Sequence, residues 1–479
     1  MKTFIICSGY FRTTAMLDVD REDITDGPIL TTLLVLATPL LAQNLVQIAQ
    51  QLIDTFWLGR HSLEAVAAVG LNFPVTALLM TATIGAMVGT QVLVSQRAGA
   101  DDVEGARRAT VNGTLLGVLV GLAVGGVSFY FAHDIMGVFG AGEDTTRYAA
   151  EYLAVFALVA VPTIAASDVI EGGFVGWGDA RAALYINVLA VGVNVVLSPF
   201  LIFGWLAFPE LGVAGAALAT GIGYACGFVL GLSMFVAGRD GFRLTREALA
   251  LDRGDCREIV DIGWPTTGQH GAAQAARVAM IGIVAAVGGA AAIAAYTIGA
   301  RVASVAFVPA LGLQKAAQSM VGQNLGADRP DRARRTTWTG VGLAAGALTL
   351  VGLLQLAIPE TLAWVFVPDA SAAELALAAD YLVILAVGYW AIGATYLLQA
   401  GFNGARRTRT SMIASLAQYW AVRLPVAVAL AYPLGWDVHG VFWAVTISNV
   451  VAAVGLGLYY HYETSSGMNR RAVAAATAD

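Results

Sequence analysis

The sequence predicts an all-α integral membrane protein of twelve transmembrane helices, arranged as two parallel-repeat lobes of six. Three observations carry this. Of the 479 residues, 58% are hydrophobic and only 13% charged, against roughly 25% charged in a soluble domain. Apolar stretches of about 20 residues, each long enough to cross a hydrocarbon core of ~30 Å, recur along nearly the whole chain. The second half of the sequence repeats the first.

Punctuating the chain at charged, Gly and Pro clusters gives segments near 29–58, 64–95, 106–131, 146–176, 182–204, 212–237, 258–286, 289–322, 335–358, 374–400, 410–432 and 440–462. A bilayer span must satisfy its own backbone hydrogen bonds, which stretches this long do as helices. Barrel strands would be about ten residues long and would alternate, and nothing here alternates. The connections after the even-numbered segments 2 to 10 hold sixteen arginines, including Arg97, Arg107, Arg108, Arg239 and Arg406, whereas the opposite loops hold Arg60 and Arg147. The positive-inside rule therefore places the first set, and both termini, in the cytoplasm of a multi-pass cell-membrane protein. The resulting division is a tail over 1–28, a first lobe over 29–237, a cytoplasmic linker over 238–257, a second lobe over 258–463 and a tail over 464–479.

Residues 95–110 (SQRAGADDVEGARRAT) align with 322–337 (GQNLGADRPDRARRTT) at an offset of 227. Pro39 and Gln43 pair with Pro265 and Gln269, Tyr152-Leu153 with Tyr381-Leu382, and Gly173-Phe174 with Gly401-Phe402, the offset drifting only from 226 to 229. Four matches in register mean duplication. An even number of helices per half gives both halves one orientation, the layout in which substrate sites lie between halves that rock against each other.

The string MVGQNLGAD (320–328) with the ARR of 333–335, its weaker copy in the first half, GWGDAR (176–181), NVVLSPFLIFG (194–204) and GVAGAALAT (212–220) resemble the signature segments of multidrug and toxic compound extrusion transporters. The similarity spans about residues 25–463. It implies a V-shaped pair of lobes that expels small organic, often cationic, compounds in exchange for Na⁺ or H⁺, without a cofactor and as a monomer. The wider superfamily also contains flippases for lipid-linked precursors, which is the alternative function. Arginine-rich, lysine-poor composition and the acidic run from Asp18 to Asp26 fit a GC-rich, salt-adapted prokaryote and the archaeal, DNA-damage-inducible-type branch.

Gln43, Gln47, Gln50 and Asp54 fall on one face of the first helix. A carboxylate in a span costs about 2.5–3.5 kcal/mol even on the lenient insertion scale, so Asp54 is a functional candidate by default, and the resemblance matches it to the family's cation-linked aspartate. Helix 5 runs outward and helix 6 inward, which puts Asn194, Ser198 and Thr220 at about the depth of Asp54, within roughly 5–15 Å of the outer ends. Oxygen ligands of these types suit a hard cation, with Na⁺ expected at Asp54 and Asn194. In the archaeal-type branch the position of Ser198 carries a second aspartate, and its loss here removes one charge. Asp168 and Glu171 lie nearer the cytoplasmic end, where a gate or solvated inner vestibule and a transport role are the alternatives, and Glu171→Gln is expected to be mild. Asp168, with Gln43, Gln47, Gln50, Gln269 and Arg277, is expected to face the substrate cavity; Pro39 and Pro265 are hinge candidates. The second lobe carries the cations Arg277, Arg301, Lys315 and Arg423, and Met280 stands where Asp54 would repeat.

The other classes lack support. The chain has no Gly-x-x-x-x-Gly-Lys loop, His-Glu-x-x-His helix or Gly-x-Ser-x-Gly elbow, so it is not read as an enzyme, and an ion gradient is the remaining energy source. No nucleic-acid partner is expected. Cys7, Cys226 and Cys256 are too scattered for a disulfide framework. The first fifteen residues do not form a signal peptide, and Met16 is a second possible start.

Overall fold

The computed structural model describes residues 21–366 and 371–476; the readings on Cys7, Met16, Asp18 and Asp20 lie outside them. Among these residues ten helices are long and apolar enough to cross a membrane, and two bent pairs bring the number to twelve when each pair counts as one span. We number them α1 (Ile29–His61), α2 (Leu63–Gly99), α3 (Val103–Tyr130), α4 (Glu143–Trp177), α5 (Ala180–Phe203), α6 (Gly212–Ala237), α7 (Arg253–Gly289), α8 (Ala291–Ala306 with Val308–Gly326), α9 (Pro330–Ala357), α10 (Ala372–Val387 with Tyr389–Gly404), α11 (Thr408–Ala431) and α12 (Asp437–Ser465).

Short polar side chains start several of them. Ser62, Asp102, Asp179 and Asp252 each accept a hydrogen bond from a backbone N–H of the first turn of α2, α3, α5 and α7, which satisfies a donor that the helix itself leaves orphaned. The two copies of Gly-Ala-Asp form equivalent turns: Asp101 (φ 58°) and Asp328 (φ 55°) both take the left-handed conformation. Gly238 (φ 81°) and Gly467 (φ 87°) repeat it at the ends of α6 and α12. Duplication is thus written in the backbone as well as in the sequence.

Two spans are broken, α8 by 46° and α10 by 48°. In α8 the break at Phe307 precedes Pro309, whose ring removes one helical hydrogen bond and crowds the turn before it. In α10 it falls at Gly388, where the Thr446 hydroxyl of α12 donates to the Ile384 carbonyl at 2.8 Å and takes up the acceptor that the break releases. The first half carries a π-helical stretch, Phe156–Ala160, at the equivalent place in α4. Pro39 and Pro265 sit inside helices that continue through them.

The halves meet along the end of the bundle that carries the arginine-rich loops. There α2 lies against α7 and α8 so closely that a Cβ on Gly85 would stand 2.9 Å from the Gly263 carbonyl, and one on Gly322 would stand 2.9 Å from the Ser95 Cβ. Across this seam Gln323 donates to the Gly176 carbonyl at 2.8 Å, Ser319 to the Val175 carbonyl at 2.6 Å and Gln96 to the Gly404 carbonyl at 2.8 Å. The segment expected as a linker is folded onto the first half. Phe242 is fully buried and stacks on Trp177 at 4.7 Å, and buried Asp255 accepts from Arg97 at 2.7 Å and Arg108 at 2.9 Å. The turn Arg21–Asp26 closes over the same end, with Ile24 buried and Asp26 paired with Arg329, whose hydrogen bond holds that carboxyl below its ordinary range.

Candidate functional site

Two polar clusters occupy the first lobe. In the one farther from the arginine-rich end, α1 and α5 run in parallel and bring Asp54 and Ser198 together, the Ser198 hydroxyl donating to the Asp54 carboxylate at 3.3 Å. Four residues before Ser198 on the same helix, Asn194 is fully buried and donates to the Thr220 hydroxyl of α6 at 3.0 Å. Gly223 of α6 lets this approach happen, since a Cβ there would stand 3.2 Å from the Asn194 Cβ. Asp54 therefore bonds Ser198 and, on its own helix, Gln50, while Asn194 binds Thr220. One acceptor stays open: the Asn194 Oδ1 is buried without a hydrogen-bond partner. A carboxylate, a free amide oxygen and two hydroxyls make an acceptor-rich cluster of the kind that holds a hard cation or a proton.

The second cluster joins the lobes. Gln43, three helical turns below Asp54 on α1, donates to the Glu171 carboxylate of α4 at 2.8 Å. Lys315 of α8, from the other lobe, reaches the same oxygen at 3.4 Å, and its own carbonyl accepts from Gln91 of α2 at 3.0 Å. Glu171 is 3% exposed. It does not line a solvated vestibule, because the packed ends of the lobes cover it. Lys315, expected only as one of several cations in the second lobe, is here the counter-ion of the first. The sequence signal that could have found it is its standing as the one lysine within the spans. Asp168, one turn before Glu171, is half-buried; Gln50 is buried, and Gln47 and Gln269 are half-buried.

The second lobe has the opposite polarity. Arg423 is 8% exposed, and its guanidinium donates to the Ser448 hydroxyl at 2.8 Å and the Asn449 side chain at 2.7 Å while lying over the Tyr419 ring. These are neutral partners. Arg277, Arg301 and His270 are solvent-exposed, and Arg277 lies within electrostatic reach of His270, Tyr296 and Tyr396. Met280, at the repeat position of Asp54, is buried in an apolar cluster with Tyr296, Tyr381 and Phe442.

Comparison with known proteins fits this architecture. The MatE family profile matches residues 39–200 and 273–429, one stretch in each half. The chain is 29% identical over 442 residues to the "Probable multidrug resistance protein NorM" of Pseudomonas aeruginosa, covering 91% of this chain and 90% of that protein. It is 26% identical over 443 residues to a "FAD transporter" of Shewanella oneidensis, covering 92% and 96%. The fold matches a solved structure described as the outward-facing conformation of a multidrug resistance MATE family transporter, with a TM-score of 0.85 and 24% identity over 94% of this chain and 98% of that one. It also matches a transporter from Pyrococcus furiosus whose description reports a binding pocket of reversed polarity, with a TM-score of 0.87 and 23% identity over 94% and 98%. With the family profile covering well over half of its length, the chain belongs to the MatE family, and it is a multi-pass membrane transporter rather than an enzyme.

Proposed function

We propose that the chain is a secondary antiporter that exports small organic, often cationic, compounds across the cytoplasmic membrane in exchange for Na⁺ or H⁺. The arginine-rich end faces the cytoplasm in this reading, as positive-inside charge asymmetry requires. The observation that carries it is Asp54, a carboxylate within a span, with Ser198 on one of its oxygens and the open Asn194 acceptor beside that pair. A carboxylate there is costly unless it takes up a proton or holds a cation. Only a ligand that binds two lobe arrangements with different affinity shifts the balance between them. A cation on Asp54 does so by changing how α1 packs on α5, and α1 also carries Gln43 at the contact between lobes. The names of the relatives as multidrug resistance proteins support the substrate class.

The test is export of ethidium from proteoliposomes under imposed Na⁺ or H⁺ gradients. Wild-type protein is expected to follow one of the gradients, and Asp54→Asn, which keeps the size and removes the charge, to stop pumping. Export by Asp54→Asn at the wild-type rate contradicts the coupling role and makes Asp168 the next carboxylate to test. A second reading, transport of an anionic or lipid-linked compound, draws on Arg423, a buried guanidinium bonded to neutral groups, and on the relative named as a FAD transporter. Movement of FAD, but not of ethidium, in the same vesicles would favour it.

A further inference from the structure

Glu171, Gln43 and Lys315 form a group that neither ion coupling at Asp54 nor the family resemblance uses. We propose that Glu171 and Gln43 make a second cation-accepting site on the transport path, and that the Lys315 ammonium, reaching in from the opposite lobe, occupies it and so locks the lobes shut at the arginine-rich end.

Four observations carry this. The site offers two buried acceptors: the Glu171 carboxylate is 3% exposed, and the Gln43 Oε1, in a side chain 2% exposed whose amide nitrogen already donates to that carboxylate, has no hydrogen-bond partner. Asp168, one turn earlier on α4, lies within electrostatic reach of both Glu171 and Lys315. The present occupant fits loosely, since Lys315 Nζ stands 3.4 Å from the carboxylate oxygen, against about 2.7–2.9 Å for a well-formed charge-assisted bond. Lys315 is also the only one of the three that belongs to the other lobe, and its helix is held to the first lobe by Gln91 of α2, which donates to its carbonyl, and by Gly312, which packs on Leu41 of α1.

The consequence follows from the geometry. The lobes cannot part at this end without drawing Lys315 away from Glu171, and a buried carboxylate stripped of its partner is strongly disfavoured. Parting therefore needs a replacement cation on Glu171. An organic cation entering from the arginine-rich side supplies one, so that substrate arrival and the opening of the lock are one event. Return to the closed state restores Lys315 and expels the bound cation from the site. This substrate step rests on the export function proposed above, whereas the lock does not.

Two readouts keep them apart. Lobe separation is read without substrate, in purified protein lacking its native cysteines, from the distance between spin labels on Glu247→Cys and Arg407→Cys, exposed positions at the arginine-rich end of the two halves. Lys315→Met, which keeps the length and removes the charge, is expected to add a longer-distance population. Reversing one charge alone, by Glu171→Lys, is expected to open this end further, and adding Lys315→Glu to restore the wild-type distance. Distances unchanged in Lys315→Met and Glu171→Lys overturn the lock. Cation acceptance is read by titration with ethidium, a permanent monocation. Lys315→Met is expected to tighten its binding at least threefold by removing the competitor, and Glu171→Gln to weaken it at least threefold. Affinities within twofold of wild type in both variants overturn the site. If wild type binds no ethidium while Lys315→Met shifts the distances, the lock stands and the export reading falls.

Discussion

At the scale of single residues, the first lobe separates roles that look alike in sequence. Asp54 and Glu171 are both carboxylates in spans, but Asp54 meets a hydroxyl of its own lobe and Glu171 an ammonium of the other. Removing the Ser198 hydroxyl deletes one hydrogen bond to a cation-holding carboxylate, a net contribution of about 0.5–1.5 kcal/mol. Ser198→Ala is therefore expected to raise the coupling-ion concentration for half-maximal export by about 2- to 12-fold, with export retained. Asn194→Ala removes the open acceptor and the tie to Thr220, and a comparable shift is expected. A half-maximal concentration identical to wild type in both variants would remove α5 from the site. The depth shared by Asp54, Asn194, Ser198 and Thr220 was legible because the direction of each helix and 1.5 Å per residue fix it. The pairing of Glu171 with Lys315 was not legible. It depends on how two lobes rest against each other, and nothing in the spacing of either helix records that; the sequence led to a mild effect of Glu171→Gln, whereas the proposed lock leads to an opened end.

At the scale of elements, the spans announce themselves through length, apolarity and arginine-bearing loops, and their interruptions do not. Pro39, Pro265 and Pro309 read alike, yet only the helix before Pro309 breaks. The bend at Gly388 is marked by no proline at all, because what makes it tolerable is Thr446 on a different helix. Thr446→Val should leave the Ile384 carbonyl buried and unanswered, which costs about 1–3 kcal/mol. A thermal midpoint of the purified variant a few degrees below wild type is expected, and an unchanged midpoint would mean that another donor serves this carbonyl. In the segment 238–257 the charge reads as a polar linker, but its packing is not legible: Phe242, Thr245 and Asp255 fix it to α4, α3 and α2. Gly241 is exposed on it. In intact cells a cysteine from Gly241→Cys should resist an impermeant thiol reagent and react once the membrane is opened; labelling from outside would reverse the orientation.

At the scale of the whole molecule, duplication built two similar lobes and later substitutions gave them opposite charge. The first holds Asp54, Asp168 and Glu171, the second Arg277, Arg301, Lys315 and Arg423, while the equivalent turns keep one backbone shape. Hydrogen bonds across the seam gather at the arginine-rich end, with α2 as the hub. The central claim is that transport requires this end to open. Thr81 of α2 and Gly271 of α7 are neighbours across the seam, a Cβ on Gly271 standing 3.9 Å from the Thr81 methyl, so a disulfide between cysteines there would tie the lobes together. The direct measurement is ethidium export by Thr81→Cys/Gly271→Cys protein without its native cysteines, in proteoliposomes under the driving gradient, before and after oxidation. Export that stops on oxidation and returns on reduction is the predicted result; export at the reduced rate from fully crosslinked protein would contradict the account.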